Sequence, residues 1–434
     1  MDIKTAKVSD SVRLSAIQTD RFKTGILTFT LTSPLTPQNY AYNIVLAGIL
    51  RRGTKNYPSL AALNLRLDEL YASGIEIRSQ KNAKNLSLTV TAEILDDRYV
   101  IDGTDILGGV VDVVADILFY PLSQSSAFSK DTVISEIRTA IDSIDAEINN
   151  TRLYSAKRCQ ELMYRNDPSY PSTERIKQAL QEADEVKLYK HYKTLISSSA
   201  IDIFYIGNAD INTVSQKLRP YFEHHAPISP YIPIFPSIRG KVELTNETEQ
   251  MPVSQGKLSL GFSTGICMDK NDQYYAVLLF NEIFGSSPSS KLFLNVREKL
   301  GLCYYCSSLY SICTGDLTVS AGIEVKNKKL SLDEIFRQLD SVKQGEISEY
   351  ELSAAKKSLC NTYRQIYDNP LDIQSFFSIR EMFGINETIE EAIDKISRVT
   401  KDEIIDIANN TVLDTIFFVE GTLSTTEGDD EDYE

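Results

Sequence analysis

Apolar and polar residues alternate along residues 25–31, which predicts a strand. Residues 40–50 and 58–71 carry apolar side chains at helical spacing, the second run rich in leucine, and Gly74 ends it. Alternation returns at 75–77 and 86–92 as paired strands. Helical spacing follows at 108–119, 130–150 and 153–164, and residues 200–207 close the series as a strand. The same order then begins again. A strand at 256–263 precedes helices at 272–284 and 289–299, a break at Gly301, and strands at 303–310 and 316–322. Helices at 331–344, 348–368 and 401–410 and a strand at 415–420 complete it.

This second pass suggests duplication. Leu63-x-x-x-Leu67-Asp-Glu-Leu70 before Gly74 loosely echoes Phe293-x-x-x-Arg297-Glu-Lys-Leu300 before Gly301. The expected fold is therefore α+β: two duplicated halves, each an antiparallel sheet with helices packed on one side. Five of the 14 prolines fall between Pro220 and Pro236, almost at the midpoint, and proline breaks helices and removes backbone donors. The expected organisation is a first domain at 1–222, a Pro-rich linker at 223–243, a second domain at 244–426 and an acidic tail at 427–434.

A chain of 434 residues is long enough for more than one core, and 42% apolar residues can fill them. No apolar run approaches the roughly 20 residues that span a bilayer. Residues 1–10 lack the apolar stretch of a secretion signal, so a cytoplasmic protein is expected. The net charge of −15 leaves no basic footprint for nucleic acid, and six of those charges lie in residues 427–434. That tail reads as a solubilising end, its role open. The six cysteines read as reduced thiols. Cys303-x-x-Cys306 has no second pair at zinc-ribbon spacing, and residues three apart on a regular strand point to opposite faces, so shared ligation is not expected.

Arg297 and Tyr304 stand seven residues apart across the Gly301 break. A guanidinium fork and a phenol hydroxyl brought together there can bind one carbonyl or carboxylate. The plainer reading is a surface ion pair and half-buried sheet packing. The run Arg-Glu-Lys-x-Gly-Leu-x-Tyr, from Arg297 to Tyr304, resembles the second-half motif of the insulinase/pitrilysin/mitochondrial-processing-peptidase zinc peptidases. Residues 278–284, 287–292 and 315–322 fit the same pattern, and the resemblance covers most of the chain. It implies two halves facing each other across a cleft. It also implies that Arg297 and Tyr304 bind the substrate backbone and help stabilise the tetrahedral intermediate. A weaker likeness, carried by residues 19–24 and 67–71, is to the metal-less member of a bacterial pair associated with elongation factor P modification.

An active member of that family carries His-x-x-Glu-His on the first helix, just before a Gly-Thr pair. Residues four apart share a helix face, so both imidazoles reach one zinc, and the Glu activates its water. Here the pair is Gly53-Thr54, and counting back puts the two His positions on Ile44 and Gly48 and the Glu position on Ala47. No ligand or base remains there. The third-ligand position falls on Glu136, which reads as a helix-surface residue, since one carboxylate does not hold zinc tightly. The family Asn of the following segment falls on Arg78. His191, His224 and His225 form no metal motif, and the last two read as linker or surface residues.

The resemblance and the missing ligands together imply a catalytically incompetent, zinc-less subunit that binds no cofactor and has no activity alone. Its partner would be a homologous, zinc-binding subunit with His-x-x-Glu-His, to which it supplies Arg297 and Tyr304. The substrate would be a peptide or unfolded polypeptide, with no nucleic acid and no membrane. Homodimerisation of the isolated chain stays open. The alternative is a non-enzymatic scaffold or peptide-binding protein of the same fold.

Overall fold

The computed structural model describes residues 3–227, 230–234, 243–268 and 273–423. The acidic tail and part of the Pro-rich stretch lie outside them. The chain folds into two compact units that a single cut in the sequence does not separate. One comprises residues 1–145, 168–235 and 366–384, the other 146–167, 236–365 and 385–434.

The first unit is built on β1 (Ile3–Ser9), β2 (Val12–Gln18), β3 (Thr24–Pro34), β4 (Gly74–Asn82), β5 (Asn85–Leu95) and β6 (Ile201–Gly207), in the spatial order β1-β2-β6-β3-β5-β4. The second uses β7 (Thr245–Met251), β8 (Gly256–Ser263), β9 (Cys303–Tyr310), β10 (Asp316–Ile323) and β11 (Val412–Gly421), in the order β7-β11-β8-β10-β9. Each sheet is mostly antiparallel but contains one parallel pair, β2 with β6 and β11 with β7. The helices are α1 (Pro37–Leu50), α2 (Leu60–Glu69), α3 (Ile106–Phe119), α4 (Lys130–Ala146), α5 (Thr151–Met163), α6 (Thr173–Gln181) and α7 (Glu185–Ser198). They continue with α8 (Ile211–Phe222), α9 (Gln273–Asn281), α10 (Lys328–Lys343), α11 (Glu349–Gln365), α12 (Pro370–Met382), α13 (Ile389–Arg398) and α14 (Lys401–Asn410). No helix among the described residues is long and apolar enough to cross a membrane.

Strand periodicity sorts the first sheet into two faces. Leu14, Leu27, Phe29, Val90, Ile203 and their neighbours join the buried core under α1, α3 and α8. Ser15, Thr28 and Phe204, one residue out of phase, face the other way. That side receives α12: Ser15 Oγ donates to Glu381 Oε1 at 2.6 Å, and Phe204 stacks on Phe377 with centroids 6.5 Å apart. The second unit repeats this scheme. Ser308 Oγ donates to Asn281 Oδ1 of α9 (2.6 Å) on one face, while Ser155 of α5 shares a hydrogen bond with Ser259 (2.8 Å) on the other. Beside it, Cys159, Leu162, Phe417 and Val419 form a small apolar cluster. Each sheet thus has its main helical layer on one face and, on the other, one helix drawn from the opposite half of the sequence.

Two details of the Pro-rich stretch differ from a free linker. Pro220 lies inside the last turn of α8, where it gives up the N–H bond to Gln216 O, and the helix ends two residues later at Phe222. Beyond it, Tyr231 Oη donates to the buried Asn85 Oδ1 (2.9 Å), and Ile234 N–H donates to the same oxygen (2.8 Å). His225 is half-buried rather than at the surface, with its Nε2 2.9 Å from Ser199 O.

Candidate functional site

Helix α1 begins at Thr36, whose side chain accepts from Asn39 N–H, with Pro37 in the first turn. It carries Ile44, Ala47 and Gly48 on successive turns. The space a side chain at Gly48 would need is occupied: a Cβ added there would lie 2.7 Å from Glu136 Cδ, and closer still to its Oε2. Glu136 comes from α4, and Arg52, one turn after Gly48, donates through Nε to Glu136 Oε1 at 2.7 Å and through Nη2 to the same oxygen. The Glu136 side chain is only 11% exposed, so it is not the solvated helix residue that its sequence suggested. A guanidinium now neutralises the carboxylate. Arg52 lies in the turn just beyond the end of α1, four residues after Gly48, and a cation so soon after the helix was the signal by which it could have been found.

His191 approaches the same helix. Its Nε2 is 2.7 Å from Asn43 Oδ1, and burial pushes its imidazole down to about 4, so it is neutral at physiological pH. It packs edge-on against Tyr42. Arg78, on the edge strand β4, is mostly exposed and pairs with Glu76 at 2.6 Å. Among the described residues no group of three or more His, Cys, Asp or Glu side chains could hold a metal.

Below α12, the polar face of the first sheet lines a cavity of about 550 Å³ that includes Arg13, Thr30, Thr89, Asp202, Gln374 and Glu381. Arg13 pairs with Asp202 at 2.9 Å. Burial raises the carboxyls of both Asp202 and Glu381, against the pull of Arg13.

In the second unit the segment leading to Tyr304 is less regular than helical spacing predicts. Residues Leu292–Lys299 form a π-helix, as do Glu282–Ser286 before them. The wider turn ends where Leu300 N–H reaches Asn295 O (3.3 Å) and Leu302 N–H reaches Val296 O (3.1 Å). Gly301, at φ +59°, makes that reversal without the strain a side chain would add. The π-helix is anchored from within: Asn295 Nδ2 donates to Gln338 Oε1 at 2.8 Å, and the buried Lys291 pairs with Glu351, also at 2.8 Å.

Arg297 sits 4.8 Å from the centre of the Phe293 ring and 3.4 Å from Glu298 Oε1, with its side chain 41% exposed. Tyr304 is 48% exposed. The strand begins with a bulge. Tyr305 lies opposite Gly322, but Cys303 lies opposite Ile323, which leaves Tyr304 as an extra residue. Cys306 lies opposite Ala321. Ala321 and Ile323 are two apart on an uninterrupted β10 and share a face, so Cys303 and Cys306 share one too. The expectation of opposite faces assumed a regular strand and is overturned by this bulge. A hydrogen bond from Cys306 lowers the Cys303 thiol, aided by Arg297 and opposed by burial, while the same bond and burial raise Cys306. All six cysteines are buried, and no disulfide joins any of them among the described residues. On the other face of β9, Tyr305 lies 4.2 Å beneath the Arg152 guanidinium, and burial pushes its hydroxyl up to about 12.

Residues 185–359 match the family model described as the Peptidase M16 inactive domain. The probable inactive metalloprotease YmfF of Bacillus subtilis (strain 168) is 31% identical over 94% of this chain and 95% of its own length. A crystal structure of a conserved protein from Enterococcus faecalis V583 superimposes with a TM-score of 0.87 at 28% identity, covering 98% of this chain and 100% of that one. The M16 inactive domain structure from Pseudomonas fluorescens has the same fold, with a TM-score of 0.77 at 13% identity over 98% of this chain and all of its own.

Proposed function

Because the chain belongs to the M16 peptidase family and has Ile44, Ala47 and Gly48 where that family's zinc motif falls, we propose that it is the zinc-less subunit of a two-chain metallopeptidase. Its partner is a homologous M16 chain with an intact His-x-x-Glu-His helix, and the zinc belongs to that partner. This chain contributes Arg297 and Tyr304, which hold an extended peptide substrate and donate to the oxyanion of the tetrahedral intermediate. The observation that carries the reading is the pairing of a lost site with a retained one. The Arg52–Glu136 pair occupies the space over Gly48, whereas Arg297 and Tyr304 are both partly exposed.

Single preorganised donors at an oxyanion contribute roughly 2 to 4 kcal/mol, or about 10²–10³-fold in rate. Co-expression with a His-x-x-Glu-His homologue should give a complex that hydrolyses unstructured peptides, and neither chain should do so alone. Arg297→Ala combined with Tyr304→Phe should lower kcat by at least about 10²-fold while the complex still forms on a sizing column. Unchanged hydrolysis in that double variant would assign the chain a purely scaffolding role.

A further inference from the structure

We propose that Cys267 and Cys313 are a latent redox pair, which a small hydroperoxide closes into a reversible disulfide. Backbone hydrogen bonds bring the two residues together, at the end of β9 away from Tyr304. The segment leaving β8 runs antiparallel to the turn between β9 and β10. Thr264 N–H donates to Gly315 O at 2.9 Å, and Met268 N–H donates to Ile312 O at 2.6 Å. Tyr310 Oη also donates to Ile266 O at 2.6 Å. Gly315, at φ +73°, permits this approach, because a Cβ there would clash with Ile266 O.

In an antiparallel pair the residue before a donor faces the residue after its acceptor, so Cys267 faces Cys313. Facing residues of that kind have Cα atoms roughly 4.5–5.5 Å apart. A disulfide accepts about 4.4–6.8 Å, so this bond closes without moving either segment. Both side chains are buried, 4% and 8% exposed. Burial, with Cys267 close by, pushes the Cys313 thiol up to about 12.

Cys313 therefore stays a thiol at neutral pH, and the Cys267 thiolate is the one that attacks the peroxide. It takes one oxygen as a sulfenic acid, and the other oxygen leaves as water. The Cys313 sulfur then displaces the hydroxyl from the Cys267 sulfur, and its own proton departs with that hydroxyl as a second water. Two thiols and one hydrogen peroxide give one disulfide and two waters. Two electrons pass from sulfur to oxygen, and a dithiol reductant reverses the step. The ring so closed runs from residue 267 to residue 313 and contains both Arg297 and Tyr304. Closing it removes entropy from the unfolded chain. The switch thus acts on the stability of the segment that carries these two residues, whichever role they serve.

The test treats the full-length protein with hydrogen peroxide, blocks the remaining thiols and maps its peptides without reduction. A Cys267–Cys313 link that dithiothreitol cleaves should appear. It should raise the urea midpoint, the unfolding equilibrium constant falling by roughly 30- to 1,000-fold. Cys267→Ala and Cys313→Ala should each lose both the link and the rise. Cys303→Ala combined with Cys306→Ala should keep both. Circular dichroism of the reduced variants, unchanged from wild type, guards against misfolding. Because the thiols are buried, the oxidation is repeated during refolding from urea, when peroxide reaches them freely. No link under that condition would overturn the proposal. So would a link that forms between other cysteines instead, or one that leaves the midpoint unchanged.

Discussion

At Gly48 the absence of a side chain is what admits Glu136, and the two residues are predicted to be strongly coupled. Gly48→Ala puts a methyl group against a carboxylate that Arg52 holds in place, so it should destabilise by about 1–3 kcal/mol, the usual cost of overpacking. With Glu136→Ala already present the methyl finds room, and the higher helix propensity of alanine should make the same change stabilising by up to about 1 kcal/mol. Urea denaturation of the four proteins checks this change of sign; additive effects would refute it. The positions Ile44, Ala47 and Gly48 were legible in the sequence because Gly53-Thr54 supplies the register for counting back. What fills them was not, since Glu136 meets Arg52 from 84 positions further along the chain, through the packing of α4 on α1. The likeness of the Cys303–Cys306 spacing to a plain strand misled for a related reason: a bulge is set by the partner strand, which local periodicity does not see.

Among elements, α12 and the Leu292–Lys299 π-helix were the hardest to read. Pro370 looks like a breaker but is the first residue of α12, where its missing N–H costs nothing. The paired phenylalanines Phe376 and Phe377 then obscure helical spacing. The π-helix carries one turn's apolar residues at a wider interval than 3.6, so its pattern passes for an ordinary helix end. By contrast β8, β9 and α14 fall at the limits that alternation and helical spacing predict. The docking of α12 yields a pH prediction. Burial raises the Glu381 carboxyl above its ordinary value, so its contribution to stability is complete below that ordinary value and is lost as pH rises through the higher folded one. Glu381→Gln keeps an acceptor for Ser15 Oγ and removes the titration. It should therefore gain stability relative to wild type between pH 4 and pH 7.5, as read from urea midpoints at each pH. A constant difference across that range would show that Glu381 does not titrate with folding.

For the molecule as a whole, the duplicated α+β plan and the kinship with inactive M16 peptidases were visible in the order of elements, in the Arg297–Tyr304 motif and in the missing His-x-x-Glu-His. The exchange of helices was not. Residues 146–167 and 366–384 each complete the unit built mainly by the other half, and nothing local marks them as doing so. A fragment ending at residue 235 therefore lacks α12 and leaves Ser15, Phe204 and their neighbours uncovered. It should fail to give a cooperative urea transition and should bind a hydrophobic dye, whereas the full chain should unfold with coincident near- and far-ultraviolet transitions. A stable, cooperative fragment would show that α12 is dispensable. The same exchange imposes a schedule on synthesis. The first unit's sheet is complete once residue 207 has been made, but α12 ends at Met382, after a further stretch of roughly 175 residues. At about 5–20 residues per second that is a wait of roughly 10–35 s, during which a finished sheet stays open on one face at the ribosome.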